Sequence, residues 1–219
     1  MKIDLIRSCI AQHVPHKLYG KSESLFLRWV WRRLYSFYLR GNLATRVRLH
    51  GRLLLLNAAN PYPFILADAP HFNSGLVAGA KELRRWLNRP LRVVDVGASI
   101  GDTVVLLHNS IPDCMQSCIC IEGSTDNKTF FEVNTHGIPG LTSYFTMLSD
   151  AARDIPSLVR HHQGTGMAIG SQTVPARSLD SLLSVCGSAG DCDLLKIDVD
   201  GYDGEILLGA AGLLSERQP

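Results

Sequence analysis

The stretch that decides the fold is Leu91-Arg-Val-Val-Asp-Val-Gly-Ala-Ser-Ile-Gly-Asp102. Its β-branched run (Val93, Val94, Val96) predicts a strand buried on both faces, as in a parallel sheet. The strand runs straight into Gly97 and Gly101, and Thr103-Val-Val-Leu-Leu can continue as a helix. Strand, tight glycine turn and helix N-terminus together predict a nucleotide-cofactor loop. The glycines let the backbone pass close to a ligand, and free N–H groups at the helix start would face it.

Dinucleotide enzymes carry G-x-G-x-x-G in this place. Here the pattern is Asp95-x-Gly97-x-x-x-Gly101, with a carboxylate inside the strand end. That suits S-adenosylmethionine (SAM), which has no pyrophosphate to cradle and offers an ammonium group to a carboxylate. Gly97, Ala98, Ser99 and Gly101 are then the turn residues nearest the cofactor. A second short apolar run, Cys118-Ile-Cys-Ile-Glu122, ends in an acid about 25 residues after Gly97, where doubly wound folds place a carboxylate that accepts from ribose hydroxyls. Glu122 supports a nucleoside without separating SAM from NAD. The bland alternatives are an ordinary strand-turn-helix and a surface carboxylate that merely ends a strand.

A third block, Asp193-Leu-Leu-Lys-Ile-Asp-Val-Asp-Gly-Tyr-Asp-Gly-Glu-Ile-Leu-Leu-Gly-Ala210, closely resembles the K-I-D-V-E-G-x-E-x-x-x-L-x-G-A signature of FkbM-type SAM-dependent methyltransferases. The other blocks follow in that family's order. Asp95-Val-Gly-Ala-Ser-Ile-Gly101 is similar to its D-x-G-A-N-x-G loop, Leu148-Ser-Asp150 to its L-S-D after the third strand, and Ser178-Leu-Asp180 to its T-L-D before the fourth. The resemblance covers about residues 91 to 214. Ser99 stands where the family has Asn, Asp200 where it has Glu, and the chain stops at Pro219, where a fifth strand would begin. A fragment is therefore expected.

Composition fits a globular enzyme. The 219 residues carry a net charge of +2 and 46% hydrophobic residues, so no global field points to nucleic acid. No apolar run reaches the length of a membrane span, and Met1-Lys-Ile-Asp-Leu-Ile-Arg7 does not read as a secretory signal. The six cysteines favour a reducing, cytoplasmic setting. Cys118 and Cys120 share one face of a core strand, and no Cys/His spacing suits zinc, so no metal is expected. His161-His162 reads as part of a solvated loop.

Two parts are expected: an N-terminal extension over 1–90, acting as substrate wall, lid or packing element, and a cofactor-binding core over 91–219. The core reads as α/β, a doubly wound, mostly parallel, Rossmann-like class I methyltransferase sheet truncated after its fourth strand and helix. Strands are expected at about 91–97, 118–122, 142–148 and 193–199, and helices at about 101–109, 125–134 and 203–214. Residues 161–172 read as a loop or weak hairpin. In the extension, residues 24–40 predict a helix with an arginine stripe (Arg28, Arg32, Arg40) opposite Leu27, Val30, Trp31, Leu34 and Tyr38. Peripheral membrane contact is one reading of it; a helix packed on its own domain is the favoured one. Arg46 to Leu56 predicts a hairpin turning at His50-Gly51, and residues 60–64 and 69–75 are turn-rich.

Asp198 ends the fourth strand, beside the switch point where open α/β sheets bind ligands. It is the first candidate for orienting or deprotonating an acceptor hydroxyl. Lys196, two residues back on the same strand face, could pair with it or sit near the acceptor; a structural ion pair is the alternative for both. By position after the third strand, Asp150 could reach the adenine amino group. The resemblance implies O-methylation of a sugar, glycan or polyketide-type hydroxyl. A nicotinamide-dependent oxidoreductase on the same layout and a catalytically inactive nucleoside-binding module remain as alternatives. Without later strands, Leu194 to Val199 would form an open hydrophobic edge that invites homodimerisation.

Overall fold

The computed structural model describes residues 44–57, 60, 62–160, 167–186, 192–199 and 201–217, together with Ser24, Phe26 and Trp29. Most of the expected 24–40 helix, the His161-His162 pair and Asp200 lie outside the described residues. The chain divides into two compact units, Met1–Gly75 with Arg160–Ala168, and Leu76–Val159 with Ile169–Pro219.

In the first unit, β1 (Ala44–Leu49) and β2 (Arg52–Asn57) form the expected antiparallel hairpin. Its turn is His50-Gly51, both with positive φ. Alternation sorts the side chains: Thr45, Val47 and Leu49 are buried, while Arg46 and Arg48 are exposed. The helix α1 (Tyr62–Asp68) follows. The Tyr62 hydroxyl lies 2.7 Å from His50 Nε2 and accepts from Asn73 Nδ2 at 2.9 Å, tying the hairpin turn to the segments at either end of the 62–73 stretch.

The second unit is built on the quoted strand. After α2 (Ser74–Leu87) come β3 (Leu91–Val96), α3 (Asp102–Ser110), β4 (Met115–Glu122), a 3-10 turn at Thr125–Asn127, α4 (Lys128–Thr135) and β5 (Leu141–Phe145). Then follow β6 (Met147–Leu148), β7 (Arg153–Arg160), β8 (Met167–Arg177), α5 (Leu179–Val185), β9 (Leu194–Ile197), α6 (Asp203–Leu208) and α7 (Ala211–Arg217). The main sheet has four strands in the order β5-β4-β3-β9, and every pairing in it is parallel. The chain steps from β3 through β4 to β5 on one side, then returns to lay β9 on the other side of β3. The switch point therefore falls between the C-terminal ends of β3 and β9.

The two faces of this sheet differ. Val94, Val96, Ile119 and Ile121 pack with Leu179, Leu182, Leu183, Ile206, Ala210 and Leu213, from α5, α6, α7 and the joint between the last two, into one buried cluster. The opposite face carries Val93, Asp95, Cys118 and Cys120, all buried. Cys118 and Cys120 Sγ atoms lie 3.5 Å apart, and this contact, reinforced by burial, pushes the Cys118 thiol well above its ordinary value. All five described cysteines are free thiols.

Three expectations need correction. The strand expected at 142–148 breaks at Thr146, whose N–H is drawn to Glu122 O; β6 then leaves the main sheet and pairs parallel with β8. Residues 161–172, read as a loop or weak hairpin, enter β8 at Met167, which neighbours both β6 and β7 in a three-stranded sheet, in keeping with the hairpin alternative. The single helix expected at 203–214 is two, α6 and α7, parted at Gly209-Ala210. There Gly209 passes so close to the Ser149 carbonyl that a side chain would collide with it. Finally, α2 was read only as far as a turn-rich start. Among the described residues no helix is long and apolar enough to cross a membrane, and β9 lies at one edge of the sheet order.

Candidate functional site

The turn after β3 is held by its own backbone. Gly97 (φ 81), Ser99 (φ 46) and Gly101 (φ 84) all adopt the left-handed region, which costs a residue with a Cβ about 1–2 kcal/mol. Glycine is required at 97 for a second reason: a Cβ there would run into the Asp198 carbonyl. At Gly101 it would come within 2.5 Å of Thr135 Cγ2 on α4. Most amides of the turn itself are engaged within the protein. Gly97 and Ala98 N–H donate to Ile121 O at 2.9 and 3.0 Å, and Gly101 N–H donates to Ala98 O at 2.8 Å.

Glu122 holds the Ser99 amide. Its Oε2 accepts from Ser99 N–H at 2.8 Å, while Oε1 accepts from Ser124 N–H at 2.8 Å and from Asn127 Nδ2 at 3.2 Å. The carboxylate expected at the ribose thus clamps the glycine turn to the loop after β4. A carboxylate offers about four lone-pair directions, so three internal donors leave it capacity for one more.

Behind the turn lies a charge centre. Asp95 is fully buried, and its Oδ1 sits 2.9 Å from Lys196 Nζ. The same ammonium donates to Gly97 O at 3.1 Å and stands 3.8 Å from Asp198 Oδ2. Asp95 Oδ2 has no hydrogen-bond partner among the described residues. Burial opposes the charge on Lys196, but Asp95, reinforced by Asp198 and Asp102, overcomes it and holds the ammonium above its ordinary range. Asp198 differs from Asp95 in exposure: 72% of its side chain is open to solvent, against 1% for Asp95. The structure therefore brings Asp95, Lys196 and Asp198 together at the switch point, with Asp95 shielded as an anchor and Asp198 presented outward.

Asp102, the first residue of α3, belongs to the same centre and escaped the sequence reading. Desolvation pushes its carboxyl up to about 6, a rise opposed by Lys196 and aided by Asp95 and Asp198. A lone Asp in a first helical turn reads from sequence as an ordinary dipole partner, and only its approach to β3 and β9 separates it from that role.

The other motif residues are structural joints. Asp150 is exposed and salt-bridged to Arg153 at 2.9 Å, and it accepts from Ser149 Oγ at 2.9 Å. Ser149 and Arg153 both also reach Glu205 of α6, so Leu148-Ser-Asp150 fastens the end of β6 to α6. Ser178 caps α5 by accepting from Ser181 N–H. Asp180 accepts from Gly212 and Leu213 N–H at 2.7 and 2.9 Å, satisfying first-turn amides of α7. At the opposite end of the sheet, Asp193 is gripped by Arg89 (2.7 and 2.8 Å) and by Arg92 side chain and backbone. Burial alone would raise the Asp193 carboxyl, but these donors hold it far below the usual range. No group of His, Cys, Asp or Glu suited to a metal occurs among the described residues.

One solved structure, the crystal structure of methyltransferase FkbM from Methylobacillus flagellatus KT, is 19% identical, with a TM-score of 0.45; the match covers 59% of this chain and 31% of that one. The present chain thus spans about a third of that protein's length. No curated protein matches. Residues 92–219 match the methyltransferase FkbM domain, a stretch that begins within β3 and takes in the glycine turn, Glu122 and the Asp95–Lys196–Asp198 centre, and so the chain belongs to the FkbM methyltransferase domain family.

Proposed function

We propose that this chain binds SAM at the β3 turn and transfers its methyl group to a hydroxyl of a sugar, glycan or polyketide-type acceptor. One observation supports this above the others: a charge centre with more carboxylates than cations stands directly behind a glycine turn, in a chain of a methyltransferase family. The orphaned Asp95 Oδ2 and the glycine-only approach at residue 97 fit a cationic nucleoside. Gly97, Ala98, Ser99 and Gly101 would line the cofactor, Glu122 would take a ribose hydroxyl with its spare lone pair, and Asp150 would meet the adenine. Asp95 would act through its field and through Lys196, since its burial shields it from contact.

SAM, when bound, supplies an electrophilic methyl on a sulfonium. Asp198 orients the acceptor hydroxyl and takes its proton as the oxygen–carbon bond forms and the carbon–sulfur bond breaks. Lys196 fixes Asp198 relative to the turn, so that donor and acceptor are held in line. Calorimetric titration with SAM and with NAD tests the cofactor: SAM binds, NAD does not, and the reverse would overturn the reading. Asp198→Asn tests the acceptor side. With an acceptor found by labelled methyl transfer, turnover falls about 10²–10⁴-fold while SAM affinity stays within a few-fold. Near-full turnover with lowered stability would make Asp198 a structural residue.

A further inference from the structure

Charge in this chain is unevenly spread. The total is +2, yet residues 24–67 contain seven arginines and no Asp, Glu or Lys, so the rest of the chain is net acidic. Segregation of this kind gives one region a field of its own whatever the total. The β1–β2 hairpin lies inside this stretch, and its register fixes how two of the arginines are displayed. Residues directly opposite each other on an antiparallel pair share a face. Val47 opposite Leu54 and Thr45 opposite Leu56 make the buried face. The other face sets Arg48 opposite Leu53 and Arg46 opposite Leu55. Both arginines are exposed, Leu53 is 49% exposed and Leu55 is half-buried. Among the described residues neither Arg46 nor Arg48 has an ion pair or a side-chain hydrogen bond.

We propose that this face docks on an anionic lipid surface, its arginines meeting headgroup phosphates while Leu53 and Leu55 enter the boundary with the acyl chains. The make-up of the face selects the partner. Two guanidiniums side by side, on a hairpin that carries no acid, call for an anion. Leucines directly opposite them call for an apolar phase beside that anion, which the headgroup boundary of a bilayer offers. A nucleic acid would satisfy the arginines but gives aliphatic side chains no ring to stack on it. A second copy of the chain would bring another face without an acid. The same unit also exposes Phe26 (69%) and Trp29 (56%), stacked with ring centroids 6.3 Å apart, and aromatic rings collect at membrane–water boundaries. None of the residues assigned to the cofactor or acceptor takes part, so the inference is independent of the SAM reading.

Co-sedimentation of the full chain with vesicles tests it. Pure phosphatidylcholine is compared with phosphatidylcholine carrying about one-quarter phosphatidylglycerol, at about 0.1 M salt and again at about 1 M. The chain should pellet with the anionic vesicles alone, and the higher salt should release it. An arginine near an anionic surface changes partitioning about fivefold, so Arg46→Gln together with Arg48→Gln should weaken binding about thirtyfold. The paired Arg46→Lys and Arg48→Lys changes keep the charge and should keep the binding. Leu53→Thr keeps every charge and a strand-forming side chain; a several-fold loss there reports entry of the leucine into lipid, and this variant decides if the Gln pair does not fold. Thermal melts identify which variants are folded. Undiminished binding by a folded Gln pair or by folded Leu53→Thr overturns the proposal. Equal pelleting with neutral vesicles, or no pelleting with either kind, overturns it too. So does release from anionic vesicles by single-stranded RNA at equal phosphate concentration, which would make nucleic acid the partner.

Discussion

Replacing Asp193 by Asn is predicted to weaken the fold without touching the site. The side chain is 7% exposed and accepts from Arg89 Nη1 and Nη2, from Arg92 Nη2 and from the Arg92 backbone N–H. An amide group turned toward this set presents two hydrogens where an oxygen had been. If Oδ1 becomes the nitrogen, the Arg89 Nη2 and Arg92 Nη2 bonds are lost while the bond to the Arg92 backbone survives. Charge-assisted bonds contribute about 1.5–3 kcal/mol each, and breaking a buried pair costs about 3–5 kcal/mol. The two arginines keep 38% and 24% of their side chains in solvent, which places the expected loss at the lower end, about 3 kcal/mol. Urea unfolding at pH 7 measures it. The pH dependence has a definite sign. Asp193 is held below its unfolded value, so its contribution is complete above the ordinary carboxylate range and is lost as acid titrates the folded carboxyl. The difference between wild type and Asp193→Asn should therefore shrink toward low pH. Because Asp193 precedes β9 and the glycine turn follows β3, SAM affinity of the folded variant should be unchanged. A loss below about 1 kcal/mol, or a large change in SAM affinity at unchanged stability, would refute the reasoning.

Three further outcomes are expected. Gly97→Ala combines a left-handed φ with collision against the Asp198 carbonyl; it should cost more than about 3 kcal/mol and abolish SAM binding, and a wild-type melting curve would contradict the geometry. Glu122→Ala removes an acceptor shared by Ser99, Ser124 and Asn127, for a loss of about 1–3 kcal/mol and weaker SAM binding by calorimetry; unchanged affinity would remove Glu122 from the cofactor site. Asp102→Asn should stabilise the ligand-free chain at high pH. The carboxyl is raised to about 6, so wild type loses stability as pH rises through that value, by about 2–3 kcal/mol at about 1.4 kcal/mol per unit; paired melts at pH 5 and pH 8 that show no difference between the two proteins would argue against a desolvated Asp102.

What could be read beforehand follows from what is local. The β3 run, its glycines and the His50-Gly51 turn each signal through neighbouring residues, and each stands where expected. Glu122 ends β4 as expected, but its partners on two loops were not legible, because they depend on how far the turn folds back. Asp95 illustrates the same boundary. Its position at the strand end was plain, while its burial and its pairing with Lys196 depend on a strand a hundred residues later. Helix α2 was missed because Gly75 and Gly79 dilute its start. The Gly- and Gln-rich composition before β8 left loop and hairpin equally open, since such residues usually mark loops. Asp180 and Asp193 stand in the quoted motif blocks, and only tertiary approach makes one a cap and the other a clasp.

The opposition of Asp95 and Lys196 across adjacent strands also bears on how the sheet assembles. β3 pairs with β4 at short sequence separation (Val93 with Cys118), whereas its other edge waits for Leu194, and distant pairings form slowly because loop closure precedes any gain. Until then the waiting edge carries a carboxylate near its C-terminal end, and an inward-pointing charge discourages foreign strands. Lys196 is the direct register partner of Asp95. A slip of one residue would turn the lysine to the opposite face and leave the acid uncompensated. The pair thus acts as a lock on alignment, rejecting mispaired intermediates while the chain is still folding.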